Sequence, residues 1–92
     1  MAIYEVVKKI PRGRVMTYGD VAMQSLTHPR AVGRVLHNNP DPKTIPCHRV
    51  VFADGSLSPA YAFGGEGKQR ALLEAEGVIF QNDKVCLSRS RM

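Results

Sequence analysis

A mainly α-helical, winged helix-turn-helix-like domain with a small β-hairpin wing and a C-terminal helix is what this sequence predicts. Three observations carry the expectation. Two short helix-forming stretches, starting at Thr17 and at Pro29, are separated by a few turn-forming residues. The second of them is basic on its outer face. A β-branched run with an Asp-Gly turn follows, and then a last amphipathic stretch that ends at a glycine. The 92 residues leave room for one domain, residues 1–92, and neither a repeat nor a linker divides them.

The elements follow in order. Ile3, Val6, Val7 and Ile10 fall at i, i+3, i+4 and i+7, the stripe of an amphipathic helix that Pro11 stops. Pro11-Arg12-Gly13-Arg14 is a basic turn, either a solvated loop or a phosphate contact. Thr17 with Asp20 three residues on reads as an acidic variant of the capping box, and Tyr18, Val21 and Ala22 share a face of the helix it starts. That helix is expected to fade around Leu26. Pro29 suits the first position of a third helix, where its missing N–H is not needed. Ala31, Val32, Val35 and Leu36 are its buried stripe, and Arg30, Gly33, Arg34 and His37 its outer face. Gly33 serves either close helix packing or the approach of a nucleic acid to bare backbone. Asn38 to Pro42 end the helix and lead by a rigid loop to Cys47.

From His48 to Phe52 a strand is expected, turning at Asp54-Gly55 and returning at Ser56-Leu57 as the wing. Ser58 to Gly67 reads as a loop, and Lys68 to Glu76 as the last helix, with Ala71, Leu72 and Ala75 on one side and Gly77 as a left-handed terminator. Lys84 to Leu87 reads as a short strand, and Ser88 to Arg91 as a frayed basic tail.

Thirteen Lys and Arg stand against eight Asp and Glu, a net charge of +5 that favours a polyanionic partner. No window approaches the roughly 20 apolar residues of a membrane span, and no membrane partner is expected. The first residues lack the basic and apolar regions of a secretion signal. Two cysteines are too few for a disulfide-built secreted domain, so a reduced, cytoplasmic monomer is expected, at the nucleoid or in a nucleus. Three His and two Cys show no metal spacing, and neither metal nor other cofactor is expected.

The chemistry gathers at Ile45-Pro46-Cys47-His48-Arg49-Val50-Val51. Pro46 locks its own φ and pushes Ile45 into an extended conformation, so a stiff segment presents Cys47. A cysteine attacks as its thiolate, so its surroundings must favour deprotonation, and a histidine held by a third group supplies a base. On an extended strand, however, Cys47 and His48 would point to opposite faces. The pair therefore needs a turn at Cys47 or a bridging water; otherwise Cys47 is a small buried residue. Cys86, in an apolar run without a neighbouring histidine, is expected to be structural.

The Pro-Cys-His-Arg-Val run resembles the acceptor-cysteine site of the O6-alkylguanine-DNA alkyltransferases, and the resemblance extends over nearly the whole chain. It implies that Cys47 accepts the alkyl group of O6-alkylguanine in double-stranded DNA, irreversibly and once per molecule. It implies that a water links His48 to Cys47 and that a glutamate near the end of the last helix orients the histidine. Glu76 matches that position, and Glu74 is an exposed partner of Arg70 at i, i+4. Thr17-Tyr18-Gly19-Asp20-Val21-Ala22 resembles the family's first DNA-binding helix, whose tyrosine gives a proton to the departing guanine. Arg30-Ala31-Val32-Gly33 resembles the helix whose arginine fills the gap left by the flipped base. The DNA contacts so implied fall on Thr17, Tyr18, Arg30, Gly33, Arg34 and His37. The base pocket falls on Pro42, Val50 and Phe63, and Asn39 is the structural asparagine joining the helices to the active-site loop.

The chain also departs from the family. The separate N-terminal domain, with its zinc site, has no counterpart expected here. Ser58 to Gly65 differs from the family's Gly-Tyr loop, with Phe63 where a small residue sits, which bears on pocket size. Short chains with a basic tail are typical of the alkyltransferase-like proteins, which carry another residue in place of the cysteine and flag alkylated guanine for another repair pathway. That lesion-binding role is the alternative, and a plain winged-helix DNA binder is a third reading.

Overall fold

Residues 2–58, 61 and 63–92 are described in the computed structural model, position 66 by its backbone alone. Helix α1 (Ile3–Lys8) ends two residues before the expected Ile10, yet Ile10 stays buried because its N–H bonds to the Val7 carbonyl. The Tyr4 hydroxyl donates to the Val35 carbonyl at 3.0 Å and pins α1 to the third helix. After β1 (Met16–Thr17), helix α2 (Tyr18–Ser25) starts with the capping box read from the sequence. Thr17 Oγ1 accepts from the Asp20 amide at 3.0 Å, and Asp20 Oδ2 accepts from the Thr17 amide at 3.1 Å. Leu26 closes the helix in the left-handed region at φ 57°. Helix α3 (Pro29–His37) has the expected bounds, with a cap the sequence reading missed: His28 Nδ1 accepts from the Ala31 amide at 3.3 Å.

The segment from His48 to Phe52 is not one strand. A 3₁₀ turn occupies Cys47–Arg49, and only Val50–Val51 (β2) is extended. Nor does a hairpin wing form between Val50 and Leu57. Strand β2 pairs in parallel with β1, Met16 opposite Val50 and Thr17 opposite Val51. Asp54-Gly55 does make a tight turn, in which Asp54 Oδ1 accepts from the Ser56 amide at 2.9 Å. After it, Leu57 turns into the core instead of continuing a ladder. The hairpin lies later, between β3 (Phe80–Gln81) and β4 (Lys84–Val85), across Asn82 and Asp83 at φ 52° and 65°. Two residues with positive φ are what a tight hairpin of matching twist needs, and Asn and Asp tolerate that region best after glycine.

Helix α4 (Gly65–Ala75) begins three residues before the expected Lys68, and Gly77 terminates it at φ 88°. Its inward face is Gln69 and Leu73, while Ala71 and Ala75 are exposed, contrary to expectation. The loop reading of 58–67 is thus corrected from Gly65 onward; at Pro59, Ala60 and Ala62 it lies outside the described residues. The last residues are not frayed. Leu87–Ser90 form α5, and Val15 pairs with Arg91 in a parallel bridge, with Val15 N–H to Ser90 and Met92 N–H to Val15, both at 2.8 Å.

The paired strands run along the seam of two apolar clusters. Met16 and Val50 face one, with Val6, Val7, Val21, Val32, Leu36 and Cys47; Val15 and Val51 face the other, with Leu57, Leu73, Val78 and Val85. The period-two alternation of strand side chains divides them in this way. Alkyl side chains buried on both faces are worth about 1.5–3 kcal/mol each, so two residues per strand suffice to fix the register.

Gly55 ties the turn to the hairpin: its carbonyl accepts from the Val85 amide at 2.8 Å, and a Cβ there would collide with the Val85 carbonyl. Gly55→Ala, at φ 89°, is expected to cost about 2–4 kcal/mol in urea unfolding. Gly67→Ala, inside α4 with open space around the new methyl, is expected to stabilise by about 0.5–1 kcal/mol.

Candidate active site and nucleic-acid interface

Cys47 opens the 3₁₀ turn behind Pro46, which sits at φ −76° and ψ 68°. The turn required by the adjacent Cys-His pair is therefore present. It closes with the Arg49 amide on the Pro46 carbonyl at 2.9 Å. Cys47 is 5% exposed. Asn39 and Tyr61 lie near enough to its sulfur to favour the thiolate. Asn39 is itself buried and fixed, its Nδ2 donating to the Ile45 carbonyl at 2.8 Å and its Oδ1 accepting from the Asp41 amide at 2.9 Å. It holds the chain on both sides of Pro42 and thereby carries the loop from α3 to the turn.

His48 leaves the turn toward α4. Its Nε2 lies 3.0 Å from Glu76 Oε2, while Arg49 grips the same carboxylate with Nε at 2.9 Å and Nη2 at 2.7 Å. Arg49 Nη1 also donates to the Ile10 carbonyl at 2.8 Å. Glu74 pairs with Arg70 at 3.5 Å on the exposed side, so Glu76 is the glutamate that meets His48. Burial alone would raise the Glu76 carboxyl, but hydrogen bonds from Arg49 and then His48 outweigh it and hold it below its ordinary value. An ionised carboxylate only accepts, so the His48 proton sits on Nε2 and Nδ1 is left as the basic nitrogen. Beneath the turn, Gln69 Nε2 donates to the carbonyls of His48 and Val50 at 3.0 and 3.1 Å.

The environment does not make a resting thiolate, contrary to what the sequence reading required. Burial pushes the Cys47 thiol up, and the hydrogen bonds from Asn39 and Tyr61 offset only part of it. Burial likewise lowers His48, against the opposing pull of Glu76. The resting pair is a neutral thiol and a neutral imidazole, and charge would form only as the proton moves.

Cys47 opens onto a cavity of about 440 Å³ whose walls include Tyr18, Arg30, Gly33, Arg34, His37, Phe52, Tyr61 and Phe63. The Tyr18 ring packs on Phe52 at 5.3 Å between centroids. Burial, and then the neighbouring Cys47, raise the Tyr18 hydroxyl, which keeps its proton. A Cβ on Gly33 would meet only Tyr18, at an ordinary 3.9 Å, so helix packing does not require this glycine. Arg30, Arg34 and His37 are exposed. Among the described residues no carboxylate pairs with Arg30 or Arg34, whereas Arg49, Arg70, Lys84 and Arg91 all have acidic partners. The α3 arginines are left open for an anion.

Three expected site residues fall elsewhere. Thr17 is buried as the α2 cap, so it positions Tyr18 instead of reaching outward. Val50 is wholly buried in the core, because its strand pairs with β1, and does not line the cavity. Pro42 lines a second depression of about 380 Å³, with His48 and Glu76, on the far side of the Tyr61 and Phe63 wall. Missed were Arg49, Tyr61, Phe52 and Gln69. Arg49 could have been found from its place beside His48, since a buried carboxylate needs more than one donor. No local signal marks Gln69. Cys86 is half-buried, its Sγ 3.4 Å from Ser88 Oγ.

With the thiol raised, alkylation of Cys47 by iodoacetamide is expected to climb with pH and reach half its maximum above the ordinary thiol value of about 8.5. Glu76→Gln removes an interaction that favours protonated His48, so iodoacetamide alkylation of Cys47 at neutral pH is expected to slow about tenfold or more. Glu74→Gln is expected to change little. Intact-protein mass against time checks both.

Comparison with known proteins supplies the context for this geometry. The family described as "6-O-methylguanine DNA methyltransferase, DNA binding domain" matches residues 1–78, leaving β3, β4 and α5 beyond it. The chain is 48% identical over 77 residues to a methylated-DNA--protein-cysteine methyltransferase of Methanopyrus kandleri, covering 84% of this chain and 56% of that protein. A Thermococcus kodakarensis protein of the same name is 47% identical, with 83% and 42% covered. The chain thus spans about half the length of these relatives. Among solved structures, S. pombe Atl1 in complex with damaged DNA containing O6-carboxymethylguanine superposes with a TM-score of 0.82 at 33% identity, covering 98% of this chain and 90% of that one. The O6-methylguanine-DNA methyltransferase of Pyrococcus kodakaraensis gives 0.74 at 47% identity, covering 83% and 44%. By the match over residues 1–78, this chain belongs to the 6-O-methylguanine DNA methyltransferase family, through that family's DNA-binding domain.

Proposed function

We propose that this chain takes the alkyl group of O6-alkylguanine in double-stranded DNA onto its own Cys47. One observation carries the reading: Cys47 shares its cavity with Tyr18 and the open arginines of α3, while His48, held by Glu76, leaves the same turn. Helices α2 and α3 act as a helix-turn-helix. Arg30, Gly33, Arg34 and His37 lie against the minor groove, where bases are poorly distinguished and little sequence preference results. The damaged base turns out into the cavity at a cost of a few kcal/mol, offset in part by Arg30 entering the stack.

The Cys47 proton passes through a water to His48 Nδ1, and the imidazolium is stabilised by the Glu76 carboxylate. As the sulfur's electron pair forms the S–C bond to the alkyl carbon, the C–O6 bond breaks and its pair stays with guanine. Tyr18 donates its proton or a strong hydrogen bond to the departing base. The thioether product has no hydrolysable bond, so each molecule reacts once and acts as a monomer. No metal or other cofactor enters any step.

A second reading is lesion binding without transfer, flagging the alkylated base for another repair pathway. What favours it is the likeness to S. pombe Atl1 over nearly the full length of both chains, together with the buried neutral thiol of Cys47.

Incubation with duplex DNA containing O6-methylguanine is expected to add the mass of one methylene to the protein. Cys47→Ala should abolish that gain and leave lesion binding largely intact. Binding without mass gain would establish the second reading, and transfer persisting in Cys47→Ala would sink the first. Arg30→Ala is expected to slow repair of duplex DNA by a factor worth about 1–3 kcal/mol, with little effect on a free O6-alkylguanine base. Arg34→Ala should instead weaken all duplexes alike and flatten the salt dependence by about one counterion. Equal losses at the two positions on every substrate would reduce α3 to a basic surface.

A further inference from the structure

We infer that Arg91 is a positioning residue for Tyr18: its guanidinium holds the carboxylate that closes the first turn of α2. The inference rests on the reading of Tyr18 as the residue that meets the flipped base. Asp20 does two things at once. Its Oδ2 accepts from the Thr17 amide, and both its oxygens accept from Arg91, Oδ2 from Nε at 3.0 Å and Oδ1 from Nη2 at 2.6 Å. A two-pronged grip on a carboxylate fixes its plane as well as its place, which a single ammonium does not. Tyr18, with Gly19, lies between the two halves of that capping box.

The arginine is presented by fixed backbone. Val15 bonds to Ser90 and Met92 on either side of Arg91, the Arg91 amide donates to the Leu87 carbonyl at 2.9 Å, and Ser90 is buried. Because that backbone is already ordered, the side chain loses less freedom in reaching Asp20 than it would from a loose tail. The same stretch of chain meets residues 87–92 on one side and the active-site segment on the other: Val15 pairs with Arg91, and Thr17 with Val51. With side chains 50% and 23% exposed, the pair contributes little to global stability. Its value lies in direction. Residues 87–92 also fall beyond those that the family match covers.

The test has two parts, both on the full chain. Amide hydrogen exchange on the free protein reads the capping box directly. Arg91→Ala is expected to speed exchange at the Thr17 amide, which donates to Asp20 Oδ2, about three- to tenfold and to leave the α3 amides unchanged, while Arg91→Lys restores protection only in part. In a Cys47→Ala background, where transfer cannot interfere, the ratio of affinities for O6-methylguanine duplex over undamaged duplex should fall about three- to tenfold in Arg91→Ala. The same substitution should cause no further fall once Tyr18 is already Ala. Arg91→Ala combined with Asp20→Asn should be no worse than either alone.

A lower melting temperature with unchanged exchange at Thr17 and an unchanged ratio would make Arg91 a mere anchor of residues 87–92 and overturn the proposal. Equal weakening on both duplexes would reduce it to a countercharge for DNA and also overturn it. If the reference protein itself does not prefer the lesion, the reading of Tyr18 falls and takes the positioning role with it. That outcome is visible before Arg91 is changed.

Discussion

One carboxylate organises the active-site segment. Glu76 accepts from His48 and twice from Arg49, two residues adjacent in sequence and 27 or 28 positions away. Neighbouring side chains on an extended strand point to opposite faces, so both can reach one carboxylate only if the backbone curls. The 3₁₀ turn at Cys47–Arg49 is that curl. Once His48 and Arg49 are drawn toward α4, Cys47 is left facing the cavity of Tyr18 and the α3 arginines. Burying the carboxylate in turn needs the strong pairing it receives, since a poorly matched buried charge costs several kcal/mol. Arg49 carries the constraint further, through the Ile10 carbonyl, to the end of α1.

The same arrangement sets the electrical state of the site. A thiolate ready at rest would be an uncompensated charge in an apolar cluster, and the fold does not hold one. It keeps the charges on Glu76 and Arg49, where they neutralise each other, and leaves thiol and imidazole neutral. Asn39 and Tyr61, the side chains that favour the thiolate, are in place before any charge forms there. Preorganised donors of this kind favour the charged species without any reorganisation at the moment of reaction.

Legibility in the sequence followed the range of the interaction. The α2 capping box and Pro29 at the head of α3 are local devices, and both were readable to the residue. The partnership of His48 with Glu76 was readable only through family resemblance, because nothing local joins the two. Where two segments offered the same turn chemistry, local reading chose wrongly. Asp54-Gly55 looks like a hairpin turn, but the hairpin forms at Asn82-Asp83, since β2 is claimed by β1 from across two helices. The inward face of α4 was misassigned for a related reason. Ala71 and Ala75 look apolar, yet Gln69 is buried because the carbonyls of His48 and Val50 need its amide. Arg91 was read as part of a frayed tail because its partner, Asp20, lies 71 residues away.

The parallel pairing of β1 with β2, and of Val15 with Arg91, has a consequence for how the molecule comes into being. A parallel pair cannot close through a tight turn; it must wait for a long intervening stretch, and loops of that length close slowly. Helices α1 to α3 are neighbours in sequence and can gather early. The seat of His48 needs Glu76, and the bridge to Val15 needs Arg91. The seat of Cys47 is therefore among the latest parts of the fold to be completed. Before those distant segments dock, the chain carries the cysteine without the surroundings that govern it, so a correctly seated Cys47 is itself a mark that they have all arrived.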